Sequence, residues 1–306
     1  MKKIIASLIC IMPIICIAQI TMHSRGAAMG DAGIAAASGN QMLGYNVGKT
    51  VFTHHFHQAS FTYLPWMRNL FQDTKFIRAD YFGTIGESAT IGTAIQYLDM
   101  GNLTMRDDNG ASLAIFRNTA FSIGGSVGVR LSESAGIGAT LRFAGARGFE
   151  SGPINRYGVS GDLQFYQLLG KFSVGGVVNQ LGSGIWQSSE MGLGFAYGDR
   201  DDAKEWSVGF DMRQTFKGGW TDIRYSLGGE VGFQESFFVR SGMQLEGANV
   251  GNRKSISIGA GYKGFVEDQS FSIDIHYLIP FGTKAAFAPM QHAYGLSLNL
   301  NLGNFQ

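Results

Sequence analysis

"YGLSLNLNL", residues 294–302, decides the fold. Tyr294, Leu296, Leu298, Leu300 and Leu302 fall on one side of an extended chain, and Gly295, Ser297, Asn299 and Asn301 on the other. A period of two marks a strand with one apolar and one polar face. A tilted strand of about 9–11 residues crosses a bilayer. The alternation recurs upstream. "FSIDIHYLI" (271–279) sets Phe271, Ile273, Ile275, Tyr277 and Ile279 against Ser272, Asp274 and His276. "EWSVGFDMR" (205–213) sets Trp206, Val208, Phe210 and Met212 against Ser207, Gly209, Asp211 and Arg213. In "FSIGGSVGVRL" (121–131) the face opposite the apolar one is Gly and Ser.

The pattern predicts strands at 56–63, 75–83, 89–98, 119–130, 135–145, 156–167, 171–179, 189–198, 204–213, 222–233, 236–246, 254–263, 269–279 and 292–302. These are fourteen, an even number, and the gaps between them alternate long and short throughout; the longest covers 99–118. A bacterial transmembrane barrel has this signature, with long outer loops and short periplasmic turns; a soluble sandwich does not. The expected fold class is all-β, a 14-stranded antiparallel transmembrane β-barrel. Closure is required because an open sheet edge in hydrocarbon leaves backbone groups unpaired at several kcal/mol each.

Composition agrees. The 306 residues carry a formal charge of +1, which supplies no electrostatic reason for a nucleic-acid partner. The 44 glycines are roughly twice the usual share of about 7 %. Inward-facing glycine either lets strands bend or leaves room for something packed in the lumen.

Lys2 and Lys3, the apolar run Ile4 to Ile17 and Cys16-Ile17-Ala18 before Gln19 read as a secretory signal peptide over 1–18. A lipoprotein would use Cys10 or Cys16, but each follows Ile where a small residue is needed. Both cysteines leave with the signal, so the mature chain has no disulfide and no thiolate metal site. Residues 19–55 do not alternate and are rich in small side chains, as in "SRGAAMGDAGIAAASGN" (24–40). They are expected to form an N-terminal hatch in the lumen of a barrel spanning 56–306, the alternative being a disordered tail.

Several motifs invite other chemistry. "LGYNVGKTVF" (43–52) has the Gly48-Lys49-Thr50 of a phosphate loop, but that motif places its first glycine at the position held by Leu43, between a buried strand and a helix. Exported proteins also meet no ATP. Gly26, Gly30 and Gly33 have the wrong spacing for a dinucleotide fingerprint and read as tight turns or close packing. His54, His55 and His57 have no carboxylate beside them and lead into a strand, so they read as solvated or rim histidines. Asp107-Asp108 and Asp199 with Asp201-Asp202 read as solvated turns. No spacing argues for an enzyme, a metal or a cofactor. "LPWMRNLF" (64–71) crowds Trp66, Met67, Leu70 and Phe71 into an outer loop. It reads as a membrane-interface anchor or as a surface that meets a partner, made by Pro65, Trp66, Met67, Arg68, Asn69 and Leu70.

A resemblance runs through these residues. Arg25, Met29, Gly30, Asp31, Ala32, Gly33 and Ala35, then Asn46 and Lys49, then Tyr63, Pro65, Trp66, Arg68, Asn69 and Leu70 resemble the PorV/PorQ family of the Bacteroidetes type IX secretion system. Its patterns are R-x-x-x-M-G-D-A-G-x-A, N-P-A-K and Y-x-P-W-L-R-N-L; here Val47-Gly48 stand where the family has Pro-Ala. The resemblance covers about 24–100 and implies a FadL-like fourteen-stranded outer-membrane barrel with an N-terminal hatch. Arg25, Gly30, Asp31, Gly33, Asn46 and Lys49 would be its hatch motif. It further implies a non-catalytic component, seated in the lipid bilayer, that associates with the larger translocon barrel. Such a component receives exported proteins through their C-terminal signal domains and passes them to the attachment machinery. The rival is a FadL-like transporter of hydrophobic small molecules, marked by an apolar pocket lined by the hatch. A plain porin comes third, because a plug would block it.

Overall fold

The computed structural model describes residues 23–36, 42–53, 55–65, 73–106, 112–149, 153–182, 189–200, 204–216, 222–247, 254–267, 269–282 and 293–304. The expected signal peptide, like Trp66 to Leu70, lies outside these residues. Fourteen strands form one closed barrel in chain order. They are β1 (His55–Leu64), β2 (Lys75–Ile85), β3 (Ala89–Arg106), β4 (Ser112–Arg130), β5 (Ala135–Phe149), β6 (Pro153–Leu169) and β7 (Phe172–Gly182), followed by β8 (Glu190–Arg200), β9 (Lys204–Thr215), β10 (Ile223–Phe233), β11 (Phe237–Glu246), β12 (Lys254–Val266), β13 (Gln269–Pro280) and β14 (Tyr294–Asn304). Every neighbouring pair is antiparallel. β14 closes the sheet on β1 in the register His57–Leu302, Phe61–Leu298 and Tyr63–Leu296, so among the described residues no strand within the hydrocarbon is left with an unpaired edge.

The alternation becomes inside and outside. Phe61, Ile91, Ile95, Val127, Leu193, Val208, Ile273 and Leu298 are exposed on the outer wall, while Ser60, Gln96, Ser122, Asp211, Glu230, Arg240, Asp274 and Asn299 are buried within. Two aromatic belts frame the outer apolar band, as the amphipathic rings of interfacial aromatics do. Near the short-turn end Phe172, Tyr197 and Trp206 form one row, with centroids 4.5 and 5.2 Å apart. Phe237, Tyr262 and Phe271 form another. Near the opposite end Phe121, Phe143 and Tyr157 follow one another at 5.9 and 6.0 Å.

The largest departure from the predicted boundaries is in β3 to β6. Strands β3 and β4 continue through most of the gap expected over 99–118, and β5 runs on to Phe149, with β6 starting at Pro153. The long-short alternation of the connections therefore has one exception, between β5 and β6. A bulge between Asp99 and Asn102 on β3 hides the continuation. With an extra residue inserted, the two-residue period loses phase. Gly101 there has φ +70°, a left-handed conformation open to glycine.

The N-terminal segment occupies the lumen. Helix α1 (Ser24–Ala28), helix α2 (Met42–Tyr45) and a 3-10 turn (Val47–Phe52) bury nearly all their side chains against the inner wall. This chooses between the two roles of inward glycine. A Cβ on Gly175 would meet Ile34 Cγ2 at 2.8 Å, one on Gly194 Ile34 Cβ at 2.6 Å, one on Gly138 Val47 Cβ at 2.6 Å, and one on Gly228 the Met29 carbonyl carbon at 2.5 Å. The wall is stripped of side chains where the segment rests on it.

Candidate functional site

The site is the contact between the N-terminal segment and the inner wall. Strand geometry builds the wall, since inward positions two apart on one strand face their register partners on the next. Charged residues at such positions meet in rows. Glu230 on β10 accepts from Arg240 on β11, Arg240 Nη1 reaches Asp274 Oδ1 on β13 at 2.6 Å, and Asn299 Nδ2 on β14 donates to Asp274 Oδ2 at 2.8 Å. Between β11 and β13 the row passes Gly261, where a Cβ would lie 2.5 Å from both Arg240 Nη1 and Asp274 Oδ1. Glycine there is what lets the pair close across β12.

Arg25 completes this row from the segment side. Its guanidinium grips Glu230 with both oxygens, Nε to Oε2 at 3.0 Å and Nη2 to Oε1 at 2.5 Å. Two parallel charge-assisted bonds fix orientation as well as position. On the other side of the lumen, His23 lies 3.3 Å from Asp80 and 3.2 Å from Thr62 Oγ1, and the Ser24 N–H donates to Ser297 Oγ at 2.9 Å. Arg78 holds Asp80 in turn. Burial pulls the His23 imidazole down to about 4, so it stays neutral at physiological pH.

A second cluster centres on Asp211 of β9. Its Oδ2 accepts the N–H groups of Gly33 at 2.8 Å and Ile34 at 2.9 Å, and Arg213 sits 3.4 Å away. Arg213 also lies over the Tyr45 ring, 5.7 Å from its centroid. Tyr45 donates its hydroxyl to Asp31 Oδ1 at 2.6 Å, and its ring fills the space left by Gly26 and Gly33. Asp31 and Gly30 take φ of 69° and 63°; Asp tolerates this region and Gly adopts it freely. The expected tight turn at Gly30 and close packing at Gly26 and Gly33 are both present.

The Asn46 side chain makes three bonds. Its amide donates to the Ile34 carbonyl at 3.1 Å and to Phe165 on the β6 wall at 2.8 Å, and its oxygen accepts from the Gly48 N–H at 3.0 Å. Val47 N–H donates to Gln164 Oε1 at 2.5 Å. The amides a phosphate loop would offer to a ligand are thus taken by protein groups. Lys49 turns inward and donates to the carbonyls of Gly33 at 2.5 Å and Ala36 at 3.0 Å. Burial lowers its ammonium from the usual lysine range to about 7, against the pull of Asp211.

Arg25, Gly30, Asp31, Gly33, Asn46 and Lys49 are therefore brought together in one buried body. Their partners Asp211, Arg213, Gln164, Glu230 and Arg240 were not singled out from the sequence. The available signal was a charged residue at an inward position of a membrane strand, since ionisable groups at that depth need a partner. Pro65 is buried just past β1; the rest of the expected partner surface lies outside the described residues. His57 stacks on Tyr81 at 6.0 Å, at the rim. His54, Asp107, Asp108, Asp201 and Asp202 also lie outside them. Among the described residues, a 590 Å³ apolar groove over β6 to β10 includes Leu163, Phe165, Gly176, Val178, Met191 and Leu193. These point to the lipid side, the inward Gln164, Gly192 and Arg213 line it too, and no residue of the N-terminal segment does.

Comparison with known proteins places this arrangement. Residues 5–148 match the family described as Type IX secretion system protein PorV. That span holds the N-terminal segment and the first strands. No curated protein sequence matches the chain. Among solved structures, the CymD monoaromatic hydrocarbon channel superposes with a TM-score of 0.64 at 12 % identity, over 93 % of this chain and 98 % of that one. The Pseudomonas putida toluene transporter TodX gives 0.64 at 10 %, over 92 % and 97 %. The Ralstonia pickettii toluene transporter TbuX gives 0.63 at 9 %, over 92 % and 98 %. At such identities the likeness is one of fold: the chain is a FadL-like barrel.

Proposed function

From a PorV-family match over residues 5–148 on a FadL-like outer-membrane barrel, we propose that this chain is a non-catalytic, PorV-type component of type IX secretion. It sits in the outer membrane after loss of a signal peptide at residues 1–18. It associates with a larger translocon barrel, binds exported proteins by their C-terminal signal domains and hands them on for surface attachment. The carrying observation is the family match, which spans the N-terminal segment itself and the first strands. Arg25 on Glu230, Gly33 and Ile34 on Asp211, and Asn46 on Phe165 hold that segment across the lumen from several strands. A lumen filled in this way suits a binding scaffold better than a conduit, and residues 19–55 act as its hatch.

The second reading, a transporter of hydrophobic small molecules, is favoured by the hydrocarbon and toluene transport of the structural neighbours. It calls for an apolar pocket lined by the hatch. The apolar groove over β6 to β10 is lined by wall residues and by none of the N-terminal segment. Deleting the chain from its native host separates the two. The secretion reading expects cargo proteins to accumulate in the periplasm with hydrocarbon uptake unchanged. Normal secretion with lost uptake would replace it by the transporter reading.

A further inference from the structure

The barrel wall does not end at one height. The β2–β3 register stops at Lys75–Asp99 and the β4–β5 register at Thr119–Arg147. Beyond these, β3 and β4 go on pairing with each other through Asn102–Arg117, Thr104–Ile115 and Arg106–Ser112. Residues 102–106 and 112–117 thus make a two-stranded ribbon. Among the described residues, neither edge of it pairs with another strand.

The aromatic belt fixes where this ribbon stands. Tyr97, Phe121, Gly145 and Tyr157 share one row across β3 to β6, capped by the Phe121–Phe143–Tyr157 contacts. Such rings mark the membrane–water interface. Ile115 and Leu113 lie six and eight residues past Phe121 on β4. At about 3.3 Å per residue and a tilt of about 40°, that is roughly 15–20 Å beyond the belt. Hydrocarbon does not reach them, yet Leu113 is 61 % and Ile115 66 % exposed. The ribbon is also held at a set angle. The Asp99 carboxylate takes the Arg117 guanidinium and the Gly101 N–H at the bulge, so its base is fixed and Arg117 is already paired.

A two-stranded ribbon is marginal alone in water, and a free edge is a template for one more strand. We propose that the β4 edge of the ribbon, residues 112–117, takes an extended strand of the exported protein as its third strand, with Leu113 and Ile115 covering apolar side chains of that strand. This rests on the secretion reading and names its cargo-contact surface. Main-chain pairing gives affinity with little demand on sequence, which suits a carrier of many different proteins. With Arg117 held by Asp99, the ribbon imposes no charge selection of its own through that residue.

The test places a photo-crosslinking residue at Ile115 and, separately, at the lipid-facing Ile273 in cells secreting cargo. A companion variant replaces residues 102–117 by a two-residue Asn-Gly turn, with heat-modifiable migration showing that the barrel still folds. Cargo should crosslink from position 115 and not from 273. The trimmed barrel should recover at least tenfold less cargo while keeping the translocon barrel. Cargo recovered equally by trimmed and untrimmed chains, or crosslinked from 273 and not 115, overturns the inference alone. If the untrimmed chain recovers no cargo, the secretion reading and this inference fall together.

Discussion

Replacing Asp211 with alanine should release the N-terminal segment from the wall. The carboxylate is buried, and one oxygen accepts both the Gly33 and Ile34 N–H groups, at 2.8 and 2.9 Å. A hydrogen bond to a charged group contributes about 1.5–3 kcal/mol, so losing both weakens the anchorage by about 3–6 kcal/mol. The released fraction should rise by two orders of magnitude or more, at about 1.4 kcal/mol per tenfold. Asp211→Asn keeps an oxygen that can accept both bonds and loses only the charge beside Arg213, so it should fall between. The assay is thiol labelling of a Met29→Cys chain, whose new thiol is unique once Cys10 and Cys16 leave with the signal peptide. Met29 is 2 % exposed in the seated segment, so labelling reports release, and any packing lost at position 29 cancels between backgrounds. Heat-modifiable migration confirms the barrel in each variant. Labelling of Asp211→Ala within about threefold of its parent would show that this carboxylate does not hold the segment, and the anchoring argument would fail.

Other outcomes follow from the same contacts. Gly192→Ala drives a methyl to 2.8 Å from Ile34 Cδ1, at an overpacking cost of about 1–3 kcal/mol. Ile34→Val removes that carbon and should recover part of the loss, which a double-mutant cycle in the labelling assay measures; additive effects would contradict the contact. Arg240→Met takes the cation from Asp274, leaving it the Asn299 amide, and leaves Glu230 with Arg25, so it should destabilise the barrel by about 3–5 kcal/mol. That appears as a lower temperature for the heat-modified band, whereas an unchanged temperature would mean the row is not coupled. Lys49, lowered to about 7 by burial, regains its ordinary value near 10.5 when the segment is released. Between these values the released state binds more protons, so the seated state gains stability as pH rises above 7 and has lost that gain below it. Labelling of Met29→Cys, relative to an exposed reference thiol, should fall by up to about tenfold per pH unit from 7 towards 9. Lys49→Met should abolish the trend, and a slope that survives it would assign the trend to another group.

The sequence carried the barrel because its strands report their own faces. Tyr294 to Leu302 alternates without interruption, and β14 runs Tyr294–Asn304 with that parity. The pattern failed where the chain leaves the hydrocarbon. In "DMGNLTMRDD" (99–108) the bulge and the absence of a lipid face remove the periodic signal, and a paired ribbon reads as a loop. The segment half of the site was legible only through the family resemblance carried by Arg25, Asp31, Asn46 and Lys49. The wall half was not. Glu230 lies 205 residues from Arg25, and Asp211 178 residues from Gly33, so no local pattern links them. Only the closed register brings β9 and β10 under the segment.

The secretion role is tested most directly by recovering the tagged chain from native outer membranes in mild detergent and identifying what comes with it. A larger translocon barrel and exported proteins carrying C-terminal signal domains are the predicted company. Recovery of the barrel alone, free of both, would contradict the account.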